Sequence, residues 1–182
     1  MPLTLPPTGV PELPVLSSAD CYELIQAMAY QSNGTAASAL WPGSGYAVFV
    51  PVRITQRRTY QRAWWCNGSA VAGNADLGVY TISGTTGTRL QSIGATAQAG
   101  TSALQQVTIN WTFDPGLYYL AFSHSEATTG QYWRAQPNAT AGRISGIYNV
   151  ASGQSPLAAS PTVAIYNQTY IPLFGLSESA VI

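Results

Sequence analysis

The chain has 182 residues, enough for one ordinary domain with its own core plus an appended segment. Only 8% of them are charged, seven Arg cancel seven acids and Lys is absent. The broad basic excess of a nucleic-acid binder is therefore missing despite the Arg57, Arg58 and Arg62 cluster, and a surface without self-repulsion suits assembly with neighbours.

Residues 1–18 carry Pro2, Pro6, Pro7, Pro11 and Pro14, a spacing that favours an extended, polyproline-like course and denies regular backbone pairing. Leu3, Leu5, Val10, Leu13, Val15 and Leu16 are interleaved with them, more apolar side chains than disordered tails carry. The segment reads as an arm laid over its own domain or a neighbouring subunit, with these six as attachment points; the alternative is a disordered tail. No basic residue leads into a long apolar run, so neither a secretory leader nor a membrane span is expected, and synthesis in a cytoplasm is.

Ser17, Ser18 and Asp20 stand as cap residues ahead of Tyr22, Leu24, Ile25, Met28 and Ala29 at helical spacing, with Asp20 and Glu23 suited to the positive end of the helix dipole. One short helix is predicted, ending before Asn33-Gly34. Residues 31–45, rich in Gly, Ala and Ser around Trp41-Pro42-Gly43, read as a connector. Helix and connector together fill residues 19–45, and the main domain is expected over 46–182. Cys21 and Cys66 are too few for a disulfide framework and lack the paired spacing of zinc sites, so both are expected to be buried free thiols.

After Gly45 the apolar period changes to two. Strands are predicted at residues 46–55, 59–66, 76–82, 88–93, 104–111, 117–123, 131–135, 142–148, 162–166 and 170–176. Pro51 marks an edge position or bulge in the first, and the unbroken apolar run of 117–122 marks a central strand covered on both faces. Between them stand Asn67-Gly68, Gly73-Asn74, Gly84-Thr85-Thr86-Gly87, Asp114-Pro115-Gly116 and Thr129-Gly130, all turn chemistry. Short strands at this spacing indicate a mainly β fold: an antiparallel β-sandwich or jelly roll behind the Pro-rich N-terminal arm and the one short N-terminal helix.

The residues that carry chemistry are sparse. His124 is the sole histidine, so any Ser-His-Asp triad must pass through it; it follows a strand, no G-x-S-x-G elbow accompanies it, and it reads as a loop histidine. Asp76, Asp114 and Glu126 are the acids that could pair as glycosidase carboxylates, but caps and turns already employ such residues. Gly84-Thr85-Thr86-Gly87-Thr88 has neither the Lys nor the following helix of a phosphate loop and reads as a hairpin. No catalytic, cofactor or metal site is expected, including at Asp76, and the protein is read as a non-enzyme. The aromatics pose a different question. Trp64 and Trp65 are neighbours on one strand and point to opposite faces, as do Tyr132 and Trp133, so one of each pair needs a partner. That partner is the protein's own packing, a neighbouring subunit or a sugar ring stacked on the indole.

Three stretches, Asn74-Ala75-Asp76-Leu77-Gly78-Val79-Tyr80, Thr88-Arg89-Leu90-Gln91-Ser92-Ile93-Gly94-Ala95-Thr96 and Asp114-Pro115-Gly116-Leu117-Tyr118-Tyr119-Leu120-Ala121, resemble a recurrent segment of tailed-bacteriophage virion proteins. The resemblance lies in N-x-D-x-G-[IV]-Y, L-x-S-x-G and P-G-x-Y-Y-L-A taken in order, within residues 46–123. It implies a small β-sandwich of the virion, synthesised in the host cytoplasm: a capsid decoration (cement) protein, or a tail- or fibre-associated module. Decoration proteins of this kind assemble as homo-oligomers, trimers above all, and grip the major capsid protein through terminal arms. The alternative function is carbohydrate or host-receptor binding, with Trp64, Trp65, Tyr132 and Trp133 as stacking candidates for a host surface glycan.

Overall fold

The computed structural model describes residues 37–135 and 139–179. The expected arm with Leu3, Leu5, Val10, Leu13, Val15 and Leu16, the expected helix and Cys21 all lie outside the described residues. In chain order the first strands are β1 (Ala37–Leu40), β2 (Ala47–Ile54), β3 (Arg58–Cys66), β4 (Asn74–Ser83), β5 (Thr86–Ser92), β6 (Thr96–Ala97) and β7 (Leu104–Phe113). They are followed by β8 (Gly116–His124), β9 (Gln131–Ala135), the helix α1 (Ala139–Ile144), β10 (Tyr148–Val150), β11 (Ala164–Ile165), β12 (Ile171–Pro172) and β13 (Phe174–Ser177). Every strand pair among them is antiparallel, as expected for the fold class.

The largest sheet has the order β11-β10-β2-β8-β4-β5, with β6 paired to the start of β4. β8 is central, held by β2 on one side and β4 on the other, and is buried on both faces from Tyr119 to His124. The apolar run 117–122 predicted this, because such a strand has no solvent face on which to place polar residues, although Leu117 at its start is exposed. Pro51 is tolerated in β2 because β10 pairs only with Ala47–Phe49, so the missing proline N–H leaves no gap on that side. At the far end, Gly84 and Thr85 alone link β4 to β5, and Gly84 takes φ 59° at the first turn position, as a type II′ hairpin requires.

This sheet curls. Laid flat, four interstrand steps of about 4.8 Å would place β5 roughly 19 Å from β10. Yet Thr162 bridges Thr86 of β5, while Ala164, two residues on, pairs with Asn149 of β10. Two residues span at most about 7 Å, so both edges bend toward the segment 159–165. That segment binds β5 through Gly87 N–H to Pro161 O, Arg89 N–H to Ala159 O and Val163 N–H to Thr85 O. Inside the curl lie Ala47, Phe49, Tyr80, Tyr119 and Ala121, closed over by Leu157 and Val163.

The opposite face of the large sheet presents Val48, Val50, Val52, Ala75, Leu77, Val79, Leu120 and Phe122 to a second layer. That layer is made of two three-stranded sheets, β13-β3-β7 and β1-β9-β12. Tyr60, Ala63, Trp65, Trp111, Phe174 and Leu176 come from the first, and Tyr132 and Ile171 from the second. The result is a β-sandwich. Among the described residues no helix is long and apolar enough to cross a membrane.

Several expectations need correction. Residues 142–148 were expected as a strand, but Ala139–Ile144 is a helix and only Tyr148–Val150 pairs in a sheet. The Ala, Gly and Arg in this stretch carry no β preference, and Ile144 stands out to solvent rather than into a sheet. The connector 31–45 contains β1, paired with β9, and Trp41 is buried in the core, so part of the expected connector belongs to the sandwich. Residues 170–176 break into β12 and β13 because the chain changes sheet at Leu173, pairing first with β9 and then with β3. His124 is no loop residue: it ends β8, fully enclosed.

Candidate functional site

The four aromatics singled out in the sequence take different surroundings. Trp65 is completely enclosed in the core and donates its indole N–H to Asn67 Oδ1 at 3.0 Å. Trp64 points the other way, as adjacent strand residues must, and sits between Gly175 of β13 and Gln106 of β7. Tyr132 is also enclosed, edge-on to Trp41, Phe122 and His124. Trp133 alone of the four reaches the surface, 37% exposed, directly across from Ser38 on β1 and near the exposed Leu40. Cys66 is a free thiol, half-buried rather than buried, and burial pushes its pKa up.

Asn67 organises a polar knot that its Asn-Gly turn signal does not reveal. Fully buried, it accepts from Trp65 and from Gln98 Nε2, and donates to Ala99 O at 2.6 Å and Gln105 Oε1 at 3.0 Å. Gln98 also donates to Gln131 O and accepts from the Ala72 amide, while Gln105 donates to Ala97 O and accepts from the Ala99 amide. The knot joins β3, β7, β9 and the chain around β6, and its polar atoms are satisfied as burial demands.

His124 is the opposite case. Among the described residues neither ring nitrogen has a hydrogen-bond partner, and the ring is pressed between Gly73 and Gly130: a Cβ at Gly130 would collide with His124 Cε1. Burial lowers its pKa to about 4, with the Glu126 charge opposing the shift. The neutral imidazole is therefore held as an aromatic filler against Tyr132 and not as a base. Glu126 ties the loop that follows β8. Its carboxylate accepts from the Thr128 amide and hydroxyl and from the Thr129 and Gly130 amides. Burial raises its pKa, but these donors outweigh it and hold the carboxyl down at about 2.

Asp76 is buried in β4 and accepts from Ser92 Oγ and from the Leu157 amide at 2.9 Å. Burial raises its pKa, while those bonds, a Gly94 amide and Arg89 oppose the rise. Together with Tyr80 Oη on Ala158 O and Arg89 Nη1 on Leu157 O, it fastens the segment that closes the curled sheet. Asp114 lies on the surface beside Arg57 at 3.8 Å. A shallow groove of about 470 Å³ runs along residues 89–95 and Pro156. Its one ionic group, Arg89, is already committed to Leu157. Among the described residues no three His, Cys, Asp or Glu side chains gather as metal ligands would.

No family model, no curated protein and no solved structure matches the chain. What the geometry itself offers is contact surface. Asp76 and Glu126 are bound up in structural ties and His124 is walled in, whereas Trp133, Leu40 and the outer edge of β7 face solvent.

Proposed function

We propose that the chain is a structural protein of a tailed-phage virion: a capsid decoration protein that binds the outer shell as a homo-oligomer, with the major capsid protein as its partner. The observation that carries this reading is where the three resembling stretches fall. They lie on β4, on β5 with its following turn, and on the turn into β8, and these are adjacent strands in the order β8-β4-β5. Motifs scattered over 48 residues of sequence, from 74 to 121, thus coincide with one continuous unit of the curled sheet. The commitment of Asp76 and Glu126 to structural ties and the sparse surface charge favour a packing role over catalysis. Removing residues 1–16 is expected to abolish binding to undecorated shells while the sandwich keeps its melting temperature. Undiminished decoration by the truncated protein would remove the arm from the mechanism.

One observation favours the second reading, a tail- or fibre-associated module that recognises a host glycan: Trp133 is exposed beside the Ser38 hydroxyl and Gln131, an apolar platform with polar neighbours. That reading expects saturable glycan binding lost in Trp133→Ala, and a flat glycan array sinks it. Trp65→Ala is no test of it, because that indole is enclosed.

A further inference from the structure

Among the described residues the sheet edges are closed, short or, along the end of β2 beyond β10, interrupted by Pro51 and Arg53, with one exception. The outer edge of β5 is filled by residues 159–163. β1 and β13 each offer four residues and β12 two. β7 is different: ten residues long, it is the outermost strand of its sheet, and no described residue hydrogen-bonds along its outer side from Gln106 to Phe113.

Proteins blunt such edges with charge, proline or a covering segment, because a bare row of N–H and C=O groups recruits another strand. β7, Leu-Gln-Gln-Val-Thr-Ile-Asn-Trp-Thr-Phe, has no charged residue and no proline. Its single irregularity is a bulge where Ile109 and Asn110 face Gln61. The solvent-facing row of Leu104, Gln106, Thr108, Asn110 and Thr112 is exposed and uncharged, while Val107 and Ile109 on the other face are only half covered at the lip of the core.

We propose that β7 is the surface through which two copies of this chain associate, by antiparallel β7–β7 pairing that merges two three-stranded sheets into one of six strands. A second copy is the occupant the chemistry fits. Two-fold pairing sets the strand against itself, which a charged strand resists and this one does not. The chain's zero net charge adds no repulsion at longer range. The Thr, Gln and Asn row can hydrogen-bond its own copy, and pairing would cover Val107 and Ile109. If the protein also forms rings of other symmetry, β7 joins one ring to the next. Nothing in this inference depends on the shell-binding reading, since pairing is measured on the purified chain and decoration on particles.

The test is the mass of the full-length chain in solution by light scattering, with backbone amide exchange across residues 104–113. Thr108→Lys and Thr108→Glu, at an exposed position, are expected to keep the wild-type melting temperature, halve the mass and release those amides to exchange. An equal mixture of the two variants is expected to recover the larger species. A wild-type chain that stays monomeric at its highest soluble concentration, a mass untouched by Thr108→Lys, or a mixture that stays small overturns the proposal.

Discussion

Enclosed at the end of β8 with both ring nitrogens unbonded, His124 takes up a proton only by bringing a charge out of water. Its folded pKa of about 4 lies below the ordinary 6.5, so the unfolded chain binds the proton first. Stability is therefore full above pH 6.5 and falls as the pH drops toward about 4, by roughly 3 kcal/mol across the window. Denaturant titrations at several pH values are expected to show this slope in the wild type and its loss in His124→Phe. Glu126 acts lower down: its folded pKa of about 2 lies below 4.5, so its contribution is present above pH 4.5 and fades toward about 2. The tryptophans separate as cleanly. Trp65→Ala opens a cavity and orphans a hydrogen bond, and is expected to cost about 3–5 kcal/mol by the same titration; Trp133→Ala costs less than about 1. Sequence could say that Trp64 and Trp65 part company, but not which enters the core, because the register against β7 and β13 decides it. For His124 nothing local indicates burial, since Gly73 and Gly130 close on it from distant parts of the chain.

At the scale of elements, the hairpin between β4 and β5 offers a test free of packing effects. A Cβ at Gly84 meets nothing within 4 Å, so Gly84→Ala costs only the strain of positive φ, about 1 kcal/mol, and Gly84→Asn less. Melting of the two variants checks the order. Asp76 governs a larger unit. Asp76→Ala leaves the Leu157 amide and Ser92 Oγ without their acceptor and is expected to cost about 1–3 kcal/mol, with faster exchange of the 157–163 amides than of β8. Strands with a strong aliphatic or aromatic signal were legible to within a few residues, as in β2, β8 and β9. The failures share a cause. β1 reads Ala-Ser-Ala-Leu and α1 Ala-Thr-Ala-Gly-Arg-Ile, each too short and too weakly patterned to declare itself, and each is stabilised by contacts elsewhere in the sequence. For α1 one such contact is Arg143 Nε donating to Tyr166 O.

In the whole molecule, β1 pairs with β9 and β13 with β3, joining residues near 40 with residues near 131 and residues near 64 with residues near 175. Pairings that distant close large loops before any contact rewards them, so refolding is expected on the millisecond-to-second scale in stopped-flow fluorescence. The curl of the large sheet lay beyond sequence for the same reason. Residues 162–166 read as a strand, of which only Ala164–Ile165 forms one beside the lone bridge at Thr162, and nothing in them says that they touch both edges of one sheet. The placement of β1 carries a mechanical consequence. It is four residues long and lies antiparallel on β9. A pull on the backbone ahead of Ala37 would unzip its pairs one after another until it reached Trp41. That indole is bolted edge-on among Tyr46, Phe122, Tyr132 and Tyr170, with its N–H on Tyr46 O. The short strand is thus a fuse and the tryptophan its stop: force applied at Ala37 is expected to release residues 37–40 and leave the rest of the sandwich whole.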